Sequence, residues 1–280
     1  MQNIGFSGES CVCRSYLPQI SRLECSLAIN CIVSHVKSPG EIWLKPVNHV
    51  TDALLMRSST KMVPIERPEN LSELVFSYVM APLNEDVFGR ARVLAIEAKE
   101  KFYAKVIFID EGISAIVALD ALIEMKSSFF YHPWQAFAVA IFGCEPARVL
   151  NGNLLTLLSK EKPDRTWDEA ATQELRRMLL KFPFVQVEAI HDSTSTNATG
   201  DVIRVLMWGV QTPKVGVSSD ESRILLNPFF AFRCRALVDY KREFTSAVEQ
   251  EIFEAASEDQ EDLESQIEAL PVWRVVLPDQ

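Results

Sequence analysis

The chain has 280 residues, 48% of them hydrophobic and 24% charged, which suits a folded core and excludes disorder as the default state. Net charge is −10, and nine acidic residues with no basic one fall between Glu249 and Glu268, so the body is nearly neutral and the tail carries the excess. Neither part has the basic surface that non-specific phosphate binding needs, and a tail of that sign repels nucleic acid while attracting basic partners.

Residues 1–17 are irregular, with no clear period. The six cysteines (Cys11, Cys13, Cys25, Cys31, Cys144, Cys234) contain no C-x-x-C pair. Cys11 and Cys13 are too closely spaced for a zinc knuckle and have no His nearby, so free thiols in a reducing compartment are expected, with no metal or other cofactor. No run of about 18 apolar residues occurs, and a cytosolic or nuclear protein is expected.

Residues 24–36 (ECSLAINCIVSHV) alternate by two and predict a strand. Ser38-Pro39-Gly40 is a turn signal, and residues 41–47 (EIWLKPV) return as the second strand of a hairpin. Residues 51–58 open on an N-cap type and predict a short helix, which Pro64 and Pro68 follow. Strands are predicted at 74–80, 88–98, 102–110 and 114–118, with Glu111-Gly112 as a tight turn; such close spacing implies a small antiparallel barrel. A strand follows at 133–142. Residues 166–181 (TWDEAATQELRRMLLK) predict a helix, with Thr166 and Glu169 as a capping box and Ala170, Leu175, Met178 and Leu179 as its apolar stripe. Strands at 184–190 and 201–208 flank a Ser/Thr/Asn/Gly loop, and a helix is predicted over 237–256. An isolated hairpin is marginal in water, so the early hairpin must pair with strands beyond the barrel.

Three stretches in fixed order resemble the extended Tudor domain. His35-Val36-Lys37-Ser38-Pro39-Gly40-Glu41-Ile42-Trp43 is similar to its entry hairpin. Residues 86–93 (DVFGRARV) with 106–112 (VIFIDEG) resemble its Tudor core. Pro133-Trp134-Gln135-Ala136 resembles the strand after the barrel, and Trp167 stands where the family often has Trp at the start of a helix. The resemblance covers about Cys25 to Val238.

It implies a mainly β fold with helices (α+β), in which a five-stranded Tudor barrel is inserted into a staphylococcal-nuclease-like OB fold. The corresponding division is an irregular N-terminus at 1–22, an extended Tudor domain at 23–240 and an acidic helical tail at 241–280. Within the domain the Tudor core spans about 72–130, and the nuclease-like halves about 23–60 and 131–240. It further implies a non-enzymatic adaptor that binds peptides carrying symmetrically dimethylated arginine. The implied partners are Argonaute-class or other granule proteins of a piRNA or siRNA pathway, in the cytoplasm and perinuclear germ granules, with the nucleus as a further possibility.

A methylated guanidinium keeps its charge but loses hydrogen-bond donors, so the family pocket stacks aromatic rings around it and orients it with an Asn amide. Mapped here, the first barrel-loop aromatic falls near Leu83, the Trp-Tyr pair on Phe88 and Gly89, and the Tyr and Asn of the final turn on Glu111 and Ile113. Of the four rings only that at Phe108 is retained, followed by Asp110. Losing three cation–π contacts costs several kcal/mol, more than about a hundredfold in affinity. Methylarginine binding is expected to be weak or absent.

Glu111 has two readings: a carboxylate that pairs with unmethylated Arg, or a solvated turn residue beside Gly112. Arg90 and Asp110 are expected to orient the barrel as a structural pair, and Trp43, Trp134, Trp167 and Trp208 to lie in the core. Trp273, with Val272, Val275 and Val276, reads as a segment that packs on the body or docks on a partner. The nuclease-like halves offer Glu41, Glu188, Asp192, Asp201 and Arg204, which form no recognisable phosphodiesterase set, so no catalysis is expected. Two further readings stay open: single-stranded RNA binding through the OB-like half, and residual dimethylarginine reading.

Overall fold

The computed structural model describes residues 20–23, 30–60, 62–98, 101–147, 166–190, 202–211, 223–234 and 238–240. The loop at 192–200 with Asp192, the neighbouring Asp201, the acidic tail with Trp273, and Cys11, Cys13 and Cys25 lie outside the described residues. The chain divides into two compact units, one of His49–Gln135 with the segment ending at Leu23, the other of Glu24–Asn48 and Ala136–Gln280. The element order is a hairpin, β1 (Cys31–Ser38) and β2 (Glu41–Pro46), then a short helix α1 (Val50–Ala53) and strands β3 (Met56–Arg57), β4 (Tyr78–Pro82), β5 (Val87–Ala98), β6 (Phe102–Phe108) and β7 (Ser114–Ala118). There follow β8 (Phe137–Ile141), β9 (Cys144–Pro146), helix α2 (Glu169–Leu179), β10 (Phe184–Ala189), β11 (Val202–Val210), β12 (Arg223–Leu225), helix α3 (Leu226–Arg233) and β13 (Val238–Tyr240). The fold is mainly β with helices.

The first unit is a small barrel. β5 is its spine: it pairs with β3, β4 and β6, and β6 pairs with β7. Bridges from Ile123 to Pro64 and Met80 close the wall. Alternation along β6 turns Ala104, Val106 and Phe108 inward, where they meet Val79, Ala91, Val93 and Leu122 in one apolar cluster. Two expectations are corrected here. The helix predicted at 51–58 stops at Ala53, because Met56 is buried and pairs with Phe88 as β3. The strand predicted at 74–80 begins only at Tyr78; Leu71–Leu74 is a 3-10 turn, with the Asn70 side chain accepting from the Ser72 N–H at 3.1 Å.

In the second unit the strand order is β10-β1-β2-β8-β11-β12, and a further β10–β11 pairing closes five strands into a ring. The hairpin reaches β8 through Ile42↔Val139, and β8 runs parallel to β11. The early hairpin therefore does complete its sheet with strands from beyond the barrel. Helix α2 buries Ala171, Thr172, Leu175, Met178 and Leu179, and Arg176 pins it to β1 by donating twice to the Val36 carbonyl, at 3.1 and 2.8 Å. The expected capping box does not form: Asp168 is the N-cap, accepting from the Ala170 N–H at 2.7 Å, while Trp167 lies outside the helix against Gly40. The helix predicted over 237–256 is replaced at its start by β13, which pairs with β9; Val238 and Tyr240 suit a strand, and the remainder of that stretch is not described. Trp43 and Trp134 are buried as expected, whereas Trp167 and Trp208 are only partly covered.

Asn227, fully buried in α3, ties this unit together. Its amide oxygen accepts from the Met207 N–H at 2.8 Å, and its amide nitrogen donates to the carbonyls of Phe142 and Val205, both at 3.0 Å. Asn227→Ala leaves the Met207 N–H and the Phe142 carbonyl without these partners, while Val205 keeps the Phe142 N–H. The expected loss is at least about 2 kcal/mol, read as a lower urea midpoint with unchanged slope.

Candidate peptide-binding site

The end of β6 and its turn build the mouth of the barrel. The Phe108 N–H donates to the Ile113 carbonyl at 2.8 Å, and the Gly112 N–H returns to the Phe108 carbonyl at 2.7 Å. That closure puts Gly112 at φ 73, a conformation a side chain disfavours. The same turn carries Ile109 and Asp110 beyond β6, so the strand ends two residues sooner than the pattern predicts. Glu111 follows at the outer edge, half-buried.

Asp110 faces inward, toward Arg90. Arg90 is 0% exposed and uses all five of its N–H groups. Nε donates to Asp110 Oδ2 at 2.8 Å and Nη2 to Oδ1 at 2.6 Å, a bidentate pair. Nη1 donates to the carbonyls of Phe129 and His132, and Nη2 to that of Pro133, each at 2.7 Å. The Gln135 N–H donates to Asp110 Oδ1 at 3.1 Å. The pair thus gathers residues 129–135 against the barrel strands. Asp110 is 4% exposed, and this engagement removes it from the residues that face a ligand.

The remaining pocket positions are occupied by the protein itself. Leu83, at the start of the β4–β5 connection, folds over Gly89: a Cβ placed on Gly89 would stand 2.6 Å from Leu83 Cδ1 and 3.3 Å from Phe108 Cδ1. Phe108 is 2% exposed, and Leu83 and Ile113 pack against its cluster. The ring that the sequence retains is therefore a core ring, with no face open to a guanidinium, while Leu83, Phe88, Glu111 and Ile113 are each partly exposed. A cavity of about 480 Å³ does open in this unit, but it lies over Ile65, Phe102 and Leu119 and none of the mapped positions lines it.

Among the described residues, no group of three or more His, Cys, Asp or Glu is set to hold a metal ion, and no helix is long and apolar enough to cross a membrane. Cys31, Cys144 and Cys234 are buried free thiols; burial pushes Cys234 up to about 11, so it is a poor nucleophile at neutral pH.

A family model for the Tudor domain matches residues 23–143. No match is found among curated proteins. Solved structures are similar. An extended Tudor domain of mouse TDRD1, bound to a MILI peptide containing dimethylarginine, aligns at TM-score 0.55 and 15% identity, covering 79% of this chain and 98% of that one. An extended Tudor domain of human TDRD1, in complex with a symmetrically dimethylated peptide, aligns at 0.51 and 14%, covering 80% and 96%. A variant of the Drosophila melanogaster Papi extended Tudor domain, with an unmethylated Piwi N-terminal peptide, aligns at 0.52 and 13%, covering 76% and 98%.

Proposed function

We propose that the chain, whose residues 23–143 match a family model for the Tudor domain and whose fold is similar to extended Tudor domains, serves as a non-catalytic protein-interaction adaptor of a germline small-RNA pathway, with a methylarginine pocket filled by its own side chains. The observation that carries this reading is Leu83 lying over Gly89 against a buried Phe108. A dimethylguanidinium needs open ring faces, and these positions present methyl groups. The partners are proteins of the Argonaute class, or granule proteins with Arg-rich segments, in the cytoplasm and its perinuclear germ granules. The peptides held by the similar structures support a protein partner.

Glu111 extends the reading. At the barrel mouth a carboxylate stands where the family has a tyrosine, and it matches an unmethylated guanidinium by paired charged hydrogen bonds, which methylation weakens. The Papi variant in complex with an unmethylated Piwi N-terminal peptide supports an unmethylated peptide as a ligand of such a fold. Isothermal titration with matched Arg and symmetric dimethyl-Arg peptides tests both parts. No preference for the methylated peptide is expected, and Glu111→Ala should weaken the unmethylated one about tenfold. Micromolar affinity favouring the methylated form overturns the proposal. An unaltered affinity in Glu111→Ala overturns the role of the carboxylate alone.

A further inference from the structure

Phe76 occupies a position the backbone reserves for glycine. Its N–H donates to the Val93 carbonyl at 2.8 Å, and the Val93 N–H donates to the Ser77 carbonyl at 3.0 Å. Phe76 and Ser77 together thus oppose Val93, which is a β-bulge whose first residue is left-handed. Phe76 has φ 71 and is the only non-glycine residue with positive φ among the described residues. Glycine is free of strain there; an aromatic residue is not. The ring gains little burial in return, because Phe76 is 56% exposed. A strained backbone that holds a large apolar ring in water is costly to stability twice over.

What surrounds the ring gives it a use. The Arg92 guanidinium stacks 5.0 Å from the Phe76 centroid and 5.8 Å from that of Tyr78, which is its cross-strand partner. Tyr78 meets Phe130 edge-on at 6.2 Å, and its hydroxyl accepts from the Trp134 indole N–H at 3.3 Å. The row Phe76, Arg92, Tyr78 and Phe130 is therefore fixed at every step. Among the described residues Arg92 has no carboxylate at ion-pair distance, and its side chain donates to the Phe76 carbonyl at 3.4 Å. An exposed ring face beside a stacked cation with no ion-pair partner matches a ligand that joins an aromatic group to an anion.

We propose that Phe76 and Arg92 form a docking platform for an acidic peptide segment of a partner protein, with an aromatic side chain stacking on Phe76 and a neighbouring carboxylate pairing with Arg92. A base with its phosphate has the same two features, but a run of phosphates needs a basic surface that the nearly neutral body lacks, whereas a peptide carboxylate needs only the single cation. This proposal rests on the adaptor reading and assigns it a surface distinct from the mapped pocket.

The test uses the full chain and a labelled nonapeptide, Gly-Asp-Phe-Glu-Gly-Asp-Trp-Glu-Gly, followed by fluorescence anisotropy. Binding with a dissociation constant below about 1 mM is expected. Phe76→Gly should weaken it at least about tenfold while leaving the urea midpoint as high as wild type or higher, because glycine suits the bulge. Arg92→Gln should weaken it comparably. A peptide with Ser in place of Phe and Trp should not bind. No binding of the nonapeptide overturns the platform, as does unchanged affinity in Phe76→Gly, or tighter binding of labelled oligouridine than of the peptide. None of these results touches the adaptor reading, whose own test is the titration with methylated and unmethylated Arg peptides.

Discussion

Arg90→Ala is expected to lower the unfolding free energy by about 3–5 kcal/mol or more, enough to consume much of the stability of an ordinary domain. The side chain is fully buried and makes five hydrogen bonds, two to Asp110 and three to backbone carbonyls. Its removal strands the Asp110 carboxylate with the Gln135 N–H as its remaining bond, and leaves the carbonyls of Phe129 and His132 without donors. Arg90→Lys keeps the charge but has three donors on a point centre, and cannot span acceptors that the planar fork reaches together. It should recover only part of the loss. A buried ion pair can often be replaced by apolar residues at little cost. Here that exchange should fail, since Arg90→Met with Asp110→Leu still abandons the two carbonyls. Urea unfolding of the four proteins measures this: a double substitution as stable as wild type would reduce the cluster to a simple ion pair.

The second large effect is a gain. Gly89→Tyr alone should be destabilising and should not bind methylarginine, because Leu83 Cδ1 already stands 2.6 Å from where its Cβ would be. Overpacking of that kind costs about 1–3 kcal/mol. Combining Leu83→Trp, Gly89→Tyr, Glu111→Tyr and Ile113→Asn removes the plug, uncovers Phe108 and restores the rings and the amide. Three regained cation–π contacts correspond to more than about a hundredfold in affinity for a symmetric dimethyl-Arg peptide. Calorimetry of the folded variant against wild type measures it. A rebuilt mouth that binds no better than the natural one would mean that the closed cage is not what limits binding.

Strand order was legible because barrel strands half-bury themselves. Ala104, Val106 and Phe108 alternate with exposed or half-covered neighbours, and that period survives in sequence. Helix α3 shows why other elements escaped. Its residues Leu226, Asn227, Pro228, Phe229, Phe230 and Ala231 are all buried, so no polar face marks a period, and Pro228 reads as a breaker although it sits in the first turn. The short strands β9, β12 and β13 have three residues each, too few to show alternation.

At the site, the resemblance supplied the positions and the sequence supplied the missing rings. What neither supplied is direction. That Phe108 faces the core, that Leu83 turns back over Gly89, and that Asp110 spends both oxygens on Arg90 are consequences of tertiary packing. Phe76 was missed for another reason: nothing in a one-letter string reveals that a phenylalanine stands where a bulge wants glycine, since the bulge arises only when Val93 comes to lie opposite.

The interrupted ring of the second unit bears on how the chain acquires its shape during synthesis. β2 finds β8 through Ile42↔Val139, roughly a hundred positions later, and β1 finds β10 through Cys31↔Val185, still further on. On the ribosome, at about 5–20 residues each second, the first hairpin emerges seconds before either partner exists. The intervening barrel, whose contacts are far more local, can mature in that interval. The nascent hairpin then waits with open edges, the state in which chaperones engage a chain, and high contact order makes ring closure the slow step.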